Sequence, residues 1–176
     1  MNFVPTPLDG VWIVEMNRQE DERGSFARSW CEKEFRELGL NPRLVQCSVS
    51  FNLRRGTLRG MHYQRAPHAE AKLVRCTRGA AYDVVLDLRP ESATFKRWTA
   101  MELTEDNGHA AYIPEGCAHG FQTRADNTEL FYQMSEFYHP ESAAGVRWND
   151  PAFGIQWPVE NPITSPRDAA LPDFPC

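Results

Sequence analysis

The stretch Gly56-Thr57-Leu58-Arg59-Gly60-Met61-His62-Tyr63-Gln64, with Lys72 following, sets a histidine, two cationic side chains and two glycines close together in strand-like sequence. An imidazole with an ordinary pKa of ~6.5 can take a proton from a substrate near neutral pH. Arg59 and Lys72 can supply positive charge to an anion or a developing oxyanion. The glycines let backbone pass close to a ligand or bulge a strand. The plainer alternative is a histidine that only packs within its sheet. In a regular strand Arg59 and His62 face opposite sides, so both line one pocket only if Gly60 introduces a bulge.

Positioning such a site falls to strands. Loose alternation over Asp9–Met16 predicts a first strand, Glu20–Gly24 a polar turn, and Ser25–Trp30 a second strand. Glu32–Leu38 is a short helix stopped by Gly39. Strands follow over Leu44–Phe51, the His62 stretch, Ala71–Thr77 and Ala81–Leu88, where Tyr82, Val84, Leu86 and Leu88 share one face and Asp83 and Asp87 the other. Trp98–Leu103, His109–Ile113, Gly120–Thr123 and Glu129–Phe137 complete the set, with turns at Glu105–Gly108 and Ala125–Asn127. From Pro140 onward frequent prolines argue against further sheet, so that the tail wraps the outside and ends near a functional edge. Short strands with turn chemistry between them predict one all-β domain, 1–176, of sandwich or barrel type with short peripheral helices. His68, His109 and His139 fall in turns or at edges and are expected to face solvent.

Composition excludes several classes. A net charge of −5 and a pI near 5.5 offer no footprint for nucleic acid or an anionic membrane. No apolar run approaches the ~20 residues of a bilayer span, and the first residues lack a signal-peptide pattern. Five cysteines without a C-x-x-C pair suggest reduced thiols in a cytoplasmic protein.

Pro114-x-Gly116-x-x-His119 resembles one of the two short signatures of the cupin jelly roll, a double-stranded β-helix. The other signature sets a glycine five residues ahead of His-x-His, followed by a glutamate. Here Gly56 leads to His62, but Gln64 holds the second histidine position, and His68 and Ala69 stand where the glutamate is expected. A cupin metal centre needs about three nitrogen ligands and a carboxylate, so the sequence predicts the barrel without its metal.

The same run, with Ala71-Lys72-Leu73-Val74-Arg75, Tyr82–Arg89, Ile113–Phe121 and Gly145-Val146-Arg147-Trp148-Asn149-Asp150-Pro151, resembles the dTDP-4-dehydrorhamnose 3,5-epimerase family over nearly the whole chain. The resemblance implies a homodimeric jelly roll that acts, without metal or organic cofactor, on a nucleotide-diphosphate 4-keto-6-deoxy sugar. It makes His62 the general base, Tyr132 the proton donor on the opposite face and Lys72 the partner of the enolate oxygen. Asp168 would orient His62, and His119 would stand beside the substrate. Arg23, Phe26, Gln46 and Arg59 would hold the nucleotide and its phosphates.

These residue types suit that chemistry. A C4 ketone acidifies the hydrogens on C3 and C5, a near-neutral base can remove one, and a separate neutral phenol can return a proton from the other side. Two alternatives are a metal-dependent cupin oxygenase, which Gln64 disfavours, and a non-catalytic sugar-binding cupin, which His62, Lys72 and Tyr132 together disfavour. The match departs from the family at Arg28, where a nucleotide-contacting glutamate is usual, and at Ala143, where another acid is common. Arg28 exchanges an acceptor for donors and reverses the charge, which bears on which base is held and whether C3, C5 or both are inverted.

Overall fold

In the computed structural model, which describes residues 1–175, strand alternation builds two antiparallel sheets face to face. One has six strands in the order β1 (Asn2–Pro5), β2 (Trp12–Glu15), β10 (Ala110–Ile113), β7 (Lys72–Arg78), β12 (Thr128–Met134), β5 (Gln46–Asn52). The other has five: β13 (Ala143–Gly145), β6 (Leu58–Gln64), β11 (Cys117–Thr123), β8 (Ala80–Asp87), β9 (Trp98–Thr104). A hairpin of β3 (Gln19–Asp21) and β4 (Gly24–Phe26) stands apart, and two short helices, α1 (Glu32–Glu37) and α2 (Pro166–Ala169), flank the sheets. This is the all-β cupin jelly roll expected from the sequence.

Alternation assigns each face. Val74, Cys76, Val85, Leu103, Phe121 and Leu130 meet between the sheets. The other face of β8 turns Val84 and Leu86 outward onto a layer that includes Val146, Phe153 and Trp157, so the proline-rich tail does wrap this side. Phe35 of α1 is buried against Tyr112, Leu73 and Phe3 on the outer face of the six-stranded sheet. The central strands of both sheets are therefore apolar on both faces.

Four local expectations need correction. β1 precedes the first expected strand, and β2 is shorter than Asp9–Met16. The polar Glu20–Gly24 stretch contributes to a hairpin, while the strand expected over Ser25–Trp30 ends at Phe26. Beyond Pro140 one more strand does form: β13 pairs with β6, matching Gly145 to His62. His68, His109 and His139 are half-buried, not solvent-facing. Among the described residues Cys31, Cys47, Cys76 and Cys117 are free, and Cys176 lies outside them. None of the described helices is long and apolar enough to cross a membrane.

The bulge in β6 is visible in its pairing with β11. His119 opposes His62 and Phe121 opposes Arg59, so one residue of β11 faces two of β6. The extra residue reverses the parity, and Arg59 and His62 point into the same cavity. Gly60 permits the close approach. It has φ of +139°, and a Cβ there would lie 2.5 Å from the Gly120 Cα, a separation real Cβ atoms do not adopt. The backbone conformation alone is worth roughly 1–3 kcal/mol against a non-glycine residue. Gly60→Ala is expected to lower unfolding free energy by at least that much, read as a lower urea midpoint at unchanged slope.

Candidate active site

A cavity of about 450 Å³ opens between the sheets at the end where β6 bulges. His62 from β6 and His119 from β11 face it from the five-stranded sheet, and Lys72 from β7 and Tyr132 from β12 from the six-stranded sheet. Period-2 geometry carries these side chains inward. Lys72 is in phase with the core residues Val74 and Cys76, and Tyr132 with Leu130.

His62 is held from behind by the tail. Ser165 caps α2 by accepting the Asp168 N–H at 3.1 Å, and Pro166 occupies the first turn, where its missing N–H costs nothing. That turn presents the buried Asp168 carboxylate to His62, with Oδ1 2.8 Å from Nε2, while Oδ2 accepts the Gly60 N–H at 3.3 Å. An ionised carboxylate only accepts, so the proton of a neutral imidazole sits on Nε2 and Nδ1 keeps the lone pair. Burial pushes the His62 pKa below its ordinary value, against the Asp168 charge and hydrogen bond, which raise it; Lys72 and His119 add to the lowering. A neutral, oriented imidazole is the state a base needs.

Tyr132 shows the opposite shift. Burial raises its phenol well above 10, the Asp83 charge adds to this, and Arg59 works against it. The phenol therefore keeps its proton at neutral pH. Its ring stands edge-on to His119 at 5.8 Å. His119 Nε2 lies 2.7 Å from Asp83 Oδ2, both buried, so Asp83 supports the cavity wall through His119. Lys72 is a cavity lysine, not a solvated surface one: its Nζ lies 3.1 Å from Glu70 Oε1 and 3.4 Å from the His62 carbonyl oxygen.

Other expected residues divide. Gln46 lines the cavity, its Oε1 accepting the Tyr138 N–H at 3.2 Å, and Arg59 does so with its Nε donating to Asn52 Oδ1 at 2.8 Å. Arg23 and Phe26 do not join them within one chain. They lie on the β3–β4 hairpin around a separate surface depression, Arg23 paired with Asp21 and Phe26 80% exposed. Ala143 lines the cavity, whereas Arg28 lies outside it and donates to Glu34. Gln64 is engaged with the backbone of two loops, its Nε2 donating to the His68 and Phe137 carbonyls and its Oε1 accepting the His139 N–H.

Sequence reasoning missed Ser48, Ser50, Glu70 and Arg167, all of which line the cavity. Ser48 and Ser50 were within reach, since they repeat at period 2 from Gln46. Glu70 lies in the loop before β7, where no periodicity operates. Arg167 adds a second guanidinium to the cavity beside Arg59.

Residues 5–175 match the family model described as dTDP-4-dehydrorhamnose 3,5-epimerase. A protein of that name from Methanothermobacter thermautotrophicus is 44% identical over 158 residues, covering 90% of this chain and 84% of the relative. The dTDP-4-dehydrorhamnose 3-epimerase of Streptomyces niveus is 38% identical, covering 96% of this chain and 81% of that protein. The crystal structure of dTDP-4-dehydrorhamnose 3,5-epimerase from Elizabethkingia anophelis superposes with a TM-score of 0.96 at 41% identity, covering 99% of this chain and 96% of the other.

Proposed function

The chain belongs to the dTDP-4-dehydrorhamnose 3,5-epimerase family, and on that premise we propose that it inverts C3, C5 or both in a nucleotide-linked 4-keto-6-deoxyhexose, as an isomerase of deoxysugar or surface-polysaccharide biosynthesis. The observation that carries this reading is the placement of a neutral, oriented base and a protonated phenol on opposite sheets across one cavity. A sugar ring held between them offers one face to His62 and the other to Tyr132. His62 removes the proton alpha to the ketone, giving an enolate whose charge rests on O4. Lys72 offsets that charge. Tyr132 then protonates the carbon from the opposite side, and configuration inverts. The ketone itself delocalises the charge, so the chemistry calls for no metal and no organic cofactor.

Arg59, Gln46 and Arg167 form the polar side of the cavity that suits a diphosphate, with His119 against the sugar. Arg23 and Phe26 lie outside this cavity in their own chain, so a part in nucleotide binding requires the cavity of a second copy. A cytoplasmic homodimer in which the exposed hairpin completes its neighbour's site accounts for their exposure.

The decisive measurement is solvent deuterium incorporation into 4-keto-6-deoxyhexoses carried on dTDP, UDP and CDP. Incorporation at C3, C5 or both, with inversion, is expected for at least one carrier. No incorporation across the panel would leave sugar binding without catalysis as the better account.

A further inference from the structure

We propose that His68, His139 and Glu141 form a binding site for a divalent transition metal of the zinc type at the rim of the barrel, apart from the proton-transfer chemistry. None of the three lines the substrate cavity. Their ligand atoms all lie within 4.8 Å of one another. Glu141 Oε1 is 3.1 Å from His139 Nδ1 and 4.0 Å from His68 Nε2. Tetrahedral ligands bound at about 2.0–2.2 Å stand about 3.3–3.6 Å apart, so the observed separations bracket that value. Two imidazoles and one carboxylate suit zinc, nickel or copper better than magnesium or calcium, which favour oxygen ligands. A fourth position remains for water.

The loops that bring the ligands together are held at their backbones. The buried Gln64 amide donates to the His68 carbonyl at 2.9 Å and accepts the His139 N–H at 2.7 Å, so one side chain joins both histidine segments. The His139 carbonyl also accepts the N–H groups of Ser142 and Ala143 at 3.0 and 2.9 Å, closing the turn that carries Glu141. The imidazole rings stack at 3.5 Å, with 6° between their planes. Loading an ion requires one ring to turn until both lone pairs converge on it. The backbone clamp leaves that rotation free, because it constrains no side-chain torsion of either histidine.

The test titrates untagged, chelator-treated protein with Zn²⁺ alone by calorimetry and with Co²⁺ by visible absorption. One ion per chain at micromolar affinity is expected, with a tetrahedral Co²⁺ band. The double variant His68→Ala/His139→Ala should weaken binding by more than the roughly 10–100-fold typical of lost outer partners. Glu141→Gln changes an exposed side chain and should weaken it as well, which keeps the test valid if the double variant misfolds. His62→Ala should bind the ion as the wild type does. Absence of Zn²⁺ binding by the wild type would overturn the proposal. So would affinity that survives the rim substitutions and disappears in His62→Ala, since the ion would then occupy the catalytic cavity.

Discussion

His62→Ala is expected to abolish solvent exchange at both C3 and C5, with the loss at the upper end of the ~10²–10⁴-fold typical for general acid–base groups. Among the described residues no substitute base is in place. Asp168 is buried and set behind the imidazole, so the Oδ1 released by the substitution stays back from the position of His62 Nδ1, while Oδ2 still accepts the Gly60 N–H. His119 is occupied by Asp83, and Lys72 is ion-paired with Glu70. The wild-type pH profile supplies an independent check. Burial lowers the His62 pKa, so the neutral base persists below the ordinary value of ~6.5. The acid limb of kcat/KM should therefore fall below pH ~6.5, with activity lost as pH drops through the lowered value and retained above it. Exchange by His62→Ala within tenfold of the wild type would remove His62 from the role of base.

Tyr132→Phe should separate two events that the wild type couples. Removal of the hydroxyl leaves the ring, its edge-on contact with His119 and the opposing base in place, and deletes only the proton donor. Inversion is expected to fall by ~10²–10⁴-fold. Deuterium wash-in with retained configuration should persist at the carbon facing His62, because that base can return a solvent-derived proton to the face it came from. Mass spectrometry of exchange combined with NMR of stereochemistry reads both events in one sample. Inversion at the wild-type rate would make Tyr132 a packing aromatic and pass the role to Tyr138, which also lines the cavity, or to water.

The legible parts of the fold were those where burial imposes a period. β6 through β12 lie on or between apolar layers, so their alternation survives in sequence, and the Asp83 face of β8 followed directly. The parts that escaped lack that imprint. β1 is four residues ending in Pro5, β13 is Ala-Ala-Gly, and the β3–β4 hairpin is exposed at each of its strand residues. In the site, the shared direction of Arg59 and His62 hinged on a bulge that Gly60 permits and sequence spacing alone denies. The stacking of His68 on His139 depends on two loops about seventy residues apart meeting at Gln64, which no local pattern encodes. Arg23 and Phe26 are the converse: the family likeness assigns them to nucleotide binding, yet their place on an exposed hairpin was invisible until the chain was folded.

Asp168 belongs to α2, which follows the last strand of either sheet. During synthesis the chain emerges from its N-terminal side, at about 5–20 residues per second. Every strand, and with them His62, Lys72, His119 and Tyr132, emerges before Ser165, Arg167 and the Asp168 carboxylate that aligns the imidazole, so the cavity wall is completed last. The same ordering makes the tail a point of inactivation. A protease nick between Gly145 and Ser165 would leave every strand on one covalent chain, sever the connection that brings Asp168 home, and loosen the Phe153 and Trp157 layer on β8.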